Sequence, residues 1–457
     1  MISPPGCVAS RLVIFRQFVD DGLGCASYLI GDEDTGEAAV IDPAYWVEQY
    51  LEEASHQEAR LTCVLETHTH ADHLSGHGRL ALDHGCPIHI HPAAEAEFAH
   101  EPLEDGTVVD IGAISIRTIH TPGHRPEHCS FAVSDRHRSD EPWLVLTGDS
   151  LFVGDAARPD LAIEARAGAE GLFHSLRRLA KLPDGVEVYP GHVAGSLCGV
   201  GMSSKASSTI GFERRFNHAM TITAEDEFVQ ESAGPPQLRP PNMERIVALN
   251  RGPFVPSPKA FEPIRGAGAT TILDVRDADS FAAGHAHGAF NVPIDGSSFS
   301  TKSAFLMSPD ESIVIHAASV DEAERAARGL RAVALLDMAG YTLDPPRDEQ
   351  LAPIDVDELE RLLAAGEVEV VDVREKDERD GGYIAGTRNI PYRLLRVCND
   401  CFGEKPVVTI CNTGARAAIA ASVLQASGVD ARPVLHGGVH EWQERGGHTV
   451  EFRRCGT

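Results

Sequence analysis

Residues 67–73 read Thr67-His68-Thr69-His70-Ala71-Asp72-His73, placing three histidines and one aspartate within seven positions. Imidazole and carboxylate are the side chains that hold first-row transition metals. The run directly follows the apolar stretch Leu61-Thr62-Cys63-Val64-Leu65. A strand ending in such a loop can aim several ligands at one point. In extended chain His68 and His70 project to the same side, because side chains alternate with period 2. Matching ligand types recur in Thr121-Pro122-Gly123-His124, Gly148-Asp149-Ser150 and Tyr189-Pro190-Gly191-His192. A second chemistry is written near the other end, where Val407-Val408-Thr409-Ile410 runs into Cys411-Asn412-Thr413-Gly414-Ala415-Arg416. A cysteine at a strand-to-helix turn has backbone N–H groups and a helix N-terminus directed at its sulfur, which favours the nucleophilic thiolate. Arg416 is placed to hold an anionic sulfur species.

These residues need elements to carry them. Short apolar runs precede each later ligand segment, at Ile114–Ile119, Trp143–Thr147 and Val186–Tyr189, so four strand-to-loop junctions each deliver a ligand. Prolines cluster from Gly234-Pro235-Pro236 to Pro258 and again from Pro345-Pro346 to Pro353, and such clusters punctuate domains. They divide the chain into expected domains at 1–245, 255–345 and 350–457. The last two are an internal repeat. Leu273-Asp274-Val275-Arg276 through Asn291-Val292-Pro293 matches Val371-Asp372-Val373-Arg374 through Asn389-Ile390-Pro391 at a constant offset of 98. Two copies of about 100 residues mean duplicated domains, not a solenoid. The later copy reads as a helix over Val356–Ala364, strands over Val368–Val373 and Val407–Ile410, and a helix over Arg416–Ala426. Alternation of this kind predicts a parallel α/β domain. In the middle copy Ile313-Val314-Ile315 is followed by His316-Ala317-Ala318-Ser319-Val320-Asp321, with His316 read at the cysteine position and Asp321 at the arginine position. Neither nucleophile nor anion clamp survives there.

Over roughly residues 10–245 the ligand pattern resembles the metallo-β-lactamase fold superfamily. That resemblance implies an αββα sandwich with its metal site at one edge of two sheets. Gly148-Asp149-Ser150-Leu151-Phe152-Val153-Gly154-Asp155, then Ala156-Ala157-Arg158-Pro159-Asp160-Leu161, resembles the persulfide dioxygenases within that superfamily, as do Gln17-Phe18, Ser27-Tyr28-Leu29 and Gly195-Ser196-Leu197-Cys198-Gly199. The Asp372-Val373-Arg374 strand end, the Cys411 loop and Gly437-Gly438 with Trp442 resemble the rhodanese sulfurtransferases. The fold class expected is therefore α/β, a metallo-β-lactamase sandwich followed by an inactive and an active rhodanese-like domain. The order resembles bacterial persulfide dioxygenase–sulfurtransferase fusions over nearly the whole chain.

The resemblance implies one Fe(II) per chain on His68, His124 and Asp149, oxidation of a low-molecular-weight thiol persulfide by O2 to sulfite, and thiosulfate-linked sulfur transfer through Cys411 with Arg416. It implies substrate contacts at Arg158 and Asp160, a relay or receiving role for Cys198, and a homo-oligomer. His70, Asp72, His73 and His192 either surround the iron or complete a second metal site. The second case corresponds to a di-zinc thioester hydrolase like glyoxalase II, fused to a sulfurtransferase. A third reading, a non-enzymatic redox or sulfide sensor, finds no DNA-binding motif to serve it. His128 reads as a hydrogen-bonding residue and not a ligand. The pair Cys398/Cys401 reads as incidental thiols or a supporting redox pair.

Bulk properties bound the partners. With 68 acidic against 40 basic residues the formal net charge is −28 over 457 residues, which disfavours nucleic acid and anionic membranes. No apolar stretch reaches the length of a membrane span, and residues 1–16 show no secretory pattern. Ten scattered cysteines fit reduced thiols and a cytoplasmic setting.

Overall fold

The computed structural model describes residues 13–160, 162, 164–193, 202–233, 238–239, 241–252, 254–255, 257–264, 271–398 and 401–452. They form two compact units, one reaching from the N-terminal side to Pro258 and one holding most of the chain from Lys259 onward.

The first unit is built on two mixed six-stranded sheets. One holds, in order, β1 (Val13–Val19), β2 (Ala26–Asp32), β3 (Glu37–Ile41), β4 (Arg60–Leu65), β5 (Ile88–Ile90) and β6 (Glu101–Pro102). The other holds β7 (Val108–Ile111), β8 (Ile114–His120), β9 (Cys129–Asp135), β10 (Leu144–Gly148), β11 (Glu187–Pro190) and β12 (Ser208–Thr209). Period-2 alternation divides each strand between two cores. Ala39, Ile41, Cys63 and Leu65 of the first sheet meet Ile114, Ile116, Phe131, Val133, Leu144 and Leu146 of the second. Their neighbours Val40 and Val64 face outward, onto the helices Glu48–His56 and His77–His84 through Val47, Tyr50 and Leu80. Val145 and Val188 face the opposite way, onto the helix Ala165–Leu179 through Leu172 and Leu176. The result is the expected αββα sandwich. Strands β4, β8, β10 and β11 end within a residue or two of the apolar runs that predict them.

The second unit contains two copies of one parallel four-stranded sheet. The first runs β14 (Phe290–Asn291), β13 (Thr271–Asp274), β15 (Ile313–His316), β16 (Met338–Thr342). The second runs β19 (Arg388–Asn389), β17 (Glu369–Asp372), β20 (Val407–Ile410), β21 (Ala431–Pro433), with β18 (Tyr383–Ile384) and β22 (Thr449–Val450) as a separate antiparallel pair. The repeated motif has one physical meaning in both copies. Arg276 Nε bonds Asp274 at 2.9 Å and its Nη2 bonds the Gly284 carbonyl at 3.0 Å. Arg374 does the same to Asp372 at 3.0 Å and to the Gly382 carbonyl at 2.8 Å. Asn291 and Asn389 each donate to the carbonyls of the residues two apart in their own Asp-x-Arg segment.

The backbone register corrects the sequence alignment of the middle copy. Asp274 pairs with His316, whereas its equivalent Asp372 pairs with Ile410. His316 is therefore the last strand residue, matching Ile410, and Ala317 occupies the station of Cys411. The loop before the following helix is one residue shorter there, which the local sequence alignment absorbs silently.

Candidate functional site

Four strand ends converge at one edge of the sandwich. Strand β4 leads into Glu66–His73, β8 into Thr121–His124, β10 into Asp149 and β11 into His192. Gly148 closes β10 with φ near +48°, and a Cβ there would sit 2.7 Å from His128 Nε2 and 2.8 Å from Thr67 Oγ1. A side chain at that position would push apart the two loops that carry His68 and Asp149.

His68, His124 and Asp149 present ligand atoms to one point, all buried. Asp149 Oδ2 lies 3.9 Å from His68 Nε2 and 3.6 Å from His124 Nε2. Their orientation is built in. His124 Nδ1 bonds the Arg158 carbonyl at 3.1 Å, which fixes that nitrogen as the donor and leaves Nε2 with a lone pair. His68 Nδ1 is 2.8 Å from Thr67 Oγ1, which itself donates to Asp42 at 2.8 Å. Burial holds the pKa of both His68 and His124 below the imidazole value, so both are neutral. Asp149 is held as a carboxylate well below its ordinary pKa; burial opposes this, and His192 and His124 outweigh it. Among the described residues its Oδ2 has no hydrogen-bond partner, a costly state for a buried carboxylate oxygen unless a cation meets it. The donor set fits a divalent transition metal.

The remaining histidines are engaged elsewhere. His70 Nε2 lies 3.4 Å from Asp42 Oδ1 and 3.2 Å from Glu66 Oε2. Burial would lower its pKa, but Asp42 and Glu66 raise it well above the imidazole value. Neither of its ring nitrogens has a hydrogen-bond partner among the described residues, and its ligand atoms also lie within 4.8 Å of those of Asp72 and His73 and of Asp42 and Glu66. His68 and His70 thus serve different partners, although extended chain would align them. The strand ends at Leu65, and period 2 ends with it. His192 sits between Asp149 Oδ1 at 2.7 Å and Asp72 Oδ2 at 2.8 Å, and Asp72 also meets His73 Nδ1 at 3.0 Å. Burial lowers the pKa of His192, yet Asp149 and Asp72 more than offset that and raise it to about 10. This stabilisation is complete below the ordinary value of 6.5 and is lost as pH rises through about 10. Metal-free protein should therefore melt at progressively lower temperature across that window, and His192→Gln should flatten the profile. A wild-type melting temperature independent of pH there contradicts a cationic His192.

Several supporting residues carry no motif of their own. His128, whose pKa burial and His124 lower to about 3, accepts the Asp149 backbone N–H on Nε2 at 2.9 Å and meets Thr121 Oγ1 at 2.9 Å. Asn250 donates to the carbonyls of His70 at 3.0 Å and His73 at 2.8 Å and accepts the Ser75 N–H at 2.9 Å. It lies on the helix Met243–Arg251, which spans residue 245. Asp42 and Glu66 were likewise not singled out by spacing. The Arg158 guanidinium is buried, pairing with Asp160 at 2.7 and 2.8 Å and donating to the Leu238 carbonyl at 2.8 Å. Cys198 lies outside the described residues.

In the second unit Cys411 is buried at the end of β20, and its Sγ accepts the Gly414 N–H at 3.1 Å. Gly414 adopts φ near +99°, which turns the loop toward the sulfur before the helix Ala415–Ala426 begins. Arg416, on the first turn, makes two bonds to Glu378 at 2.7 and 2.6 Å. The anion clamp read from sequence is thus already paired with a carboxylate. Cys398 and Cys401 are joined as a disulfide with Cα atoms 5.3 Å apart, in contrast to the expectation of reduced thiols.

The fold and these two sites define a metallo-β-lactamase-fold protein extended by duplicated rhodanese-like domains. Family models agree: the Metallo-beta-lactamase superfamily matches residues 20–192, and the Rhodanese-like domain matches 257–343 and 355–445. The mitochondrial persulfide dioxygenase ETHE1 of Bos taurus is 31% identical over 221 residues, covering 48% of this chain and 80% of the relative. Its Homo sapiens counterpart is 28% identical over 254 residues, covering 54% of this chain and 91% of the relative. A crystal structure of a metallo-beta-lactamase from Staphylococcus aureus superposes with a TM-score of 0.66 at 29% identity, covering 73% of this chain and 99% of that one. The chain belongs to the persulfide dioxygenase family of the metallo-beta-lactamase superfamily, with rhodanese-like domains following. Among the described residues no helix is long and apolar enough to cross a membrane.

Proposed function

We infer that the chain is a bifunctional sulfur-oxidising enzyme acting in sulfide detoxification. Its first unit oxidises a low-molecular-weight thiol persulfide with O2, using one Fe(II) held by His68, His124 and Asp149. The observation that carries this reading is the Asp149 Oδ2, unpartnered among the described residues and facing the imidazoles of His68 and His124, while His192 hydrogen-bonds Asp149 Oδ1 and Asp72 Oδ2. Two histidines and one carboxylate with open positions are the donor set of non-haem Fe(II) oxygenases. A ferrous ion there supplies the chemistry that activates O2 toward the persulfide sulfur.

The protein's own residues do the positioning. The Arg158 carbonyl and Thr67 aim the two imidazoles, His128 and His192 hold the Asp149 backbone and carboxylate, and the Arg158–Asp160 pair beside them is the proposed substrate contact. The outer sulfur receives both atoms of O2 and one oxygen from water and leaves as sulfite; the thiol is released. In the second unit the Cys411 thiolate attacks the outer sulfur of thiosulfate, the sulfur–sulfur bond breaks, and sulfite departs with the bonding pair. The reverse step joins sulfite to a Cys411 persulfide and forms thiosulfate.

The test is oxygen uptake by iron-loaded protein given glutathione or coenzyme A persulfide, with metal assayed on the same sample. Uptake with about one iron per chain supports the reading. The competing hydrolase draws on the ligand atoms of His70, Asp72 and His73, which lie within 4.8 Å of one another. Two zincs per chain with hydrolysis of an acyl-glutathione and no uptake would replace the dioxygenase by that enzyme.

A further inference from the structure

Asn250 is buried, and its side chain is spent on the loop that follows β4. Its Nδ2 donates to the His70 carbonyl at 3.0 Å and to the His73 carbonyl at 2.8 Å, and its Oδ1 accepts the Ser75 N–H at 2.9 Å. Two donors and an acceptor on one short planar group are what a carboxamide offers; aspartate brings no donor and serine only one. The same partners fix which way the amide faces. The three bonds bracket residues 70–75, the stretch that carries Asp72 and His73.

The clamp is itself anchored. Asn250 stands in the last turn of the helix Met243–Arg251, whose Ile246 is buried. One residue on, the Arg251 carbonyl accepts the Glu97 N–H at 2.6 Å, and its guanidinium bonds Glu95. From the clamped stretch the contacts pass to the ligand set. Asp72 Oδ2 meets His192 Nε2, and His192 Nδ1 meets Asp149 Oδ1. That leaves Asp149 Oδ2 toward His68 and His124. The superfamily match ends at residue 192, so Asn250 comes from outside the stretch it describes. We propose that Asn250 is a positioning residue of the metal site, setting the orientation of the Asp149 carboxylate through residues 70–75, Asp72 and His192. The proposal rests on the reading of His68, His124 and Asp149 as ligands. Groups that orient a ligand are worth about 10- to 100-fold in metal affinity, and Asn250 acts by the same route.

The test uses full-length protein, stripped of metal and titrated with Co(II), whose visible absorption bands report the geometry of its ligands. Asn250→Ala removes all three bonds. Asn250→Asp keeps the size and an acceptor but no donor, and Asn250→Gln keeps donors and acceptor on a longer stem. Co(II) affinity should fall by about 10- to 100-fold in the alanine and aspartate variants, with shifted bands, and glutamine should recover a large part of both. Melting of the metal-free proteins is followed alongside. An alanine variant that binds Co(II) within about twofold of wild type and keeps its bands overturns the proposal. Weaker binding with unshifted bands, in step with a lower melting temperature, gives Asn250 a part in the fold alone and overturns it as well. Where Asn250→Ala does not fold, the other two variants decide: wild-type bands with glutamine and shifted bands with aspartate support the proposal, and equal bands overturn it. Collapse of all three variants overturns it too. Failure of the ligand assignment reads differently: Co(II) bound to His124→Ala protein with wild-type bands removes the reading on which the proposal rests, whatever the Asn250 variants show.

Discussion

His124→Ala should abolish persulfide-dependent oxygen uptake and strip the metal, while Cys411-dependent sulfur transfer continues. Among the described residues, His124 is one of two imidazoles that face Asp149 Oδ2. Its Nδ1 is committed to the Arg158 carbonyl, so no other nitrogen of the loop can replace Nε2. His70 faces another way, with Nε2 3.4 Å from Asp42 Oδ1 and 3.2 Å from Glu66 Oε2. Losing even a group that only orients a ligand costs about 10- to 100-fold in metal affinity or activity, so removing a ligand should cost more than about 100-fold. Metal analysis and an oxygen electrode on the same preparation check this. Iron retained at wild-type stoichiometry with uptake intact would mean that the ligands lie elsewhere, and the His70–Asp72–His73 group would be examined next.

Cys411→Ser should reduce thiosulfate-linked sulfur transfer to background and leave oxygen uptake in place. Serine preserves the hydrogen bond from the Gly414 N–H and the volume of the site closely enough that the fold is not at issue. What it removes is the thiolate, the one species able to attack sulfane sulfur and carry it as a persulfide. Oxygen uptake should survive because His68, His124 and Asp149, the proposed ligands, belong to the other compact unit. Mass spectrometry after thiosulfate treatment should show an added sulfur on Cys411 in wild type and none at that position in the variant. Transfer that persists in the variant would sink the assignment of Cys411 and direct attention to Cys198.

Much of this was legible in the sequence because it is local. An apolar run followed by a ligand type marks a strand end, and β4, β8, β10 and β11 each obey that rule. The Asp-x-Arg and Asn-x-Pro segments repeat because each copy closes the same hydrogen bonds within one short stretch. The Cys411 loop is likewise written in consecutive residues, from strand to glycine turn to helix. These features depend on spacing along the chain, and spacing is what a sequence records.

What only the tertiary structure decided is which atoms face one another. His68 and His70 are two positions apart and chemically identical, yet one faces Asp149 and the other is held by Asp42, from a strand end far earlier in the chain. Asn250 reaches the metal loop from a helix about 180 residues downstream, a relation without any local pattern. Ala317 takes the place of Cys411 only once strand pairing sets the register, because residue spacing alone does not show a loop one residue shorter. Glu378 claims Arg416 through packing alone. Residue types set what chemistry is available. The partners that fix each protonation state and each free lone pair come from distant segments, and folding alone brings them together.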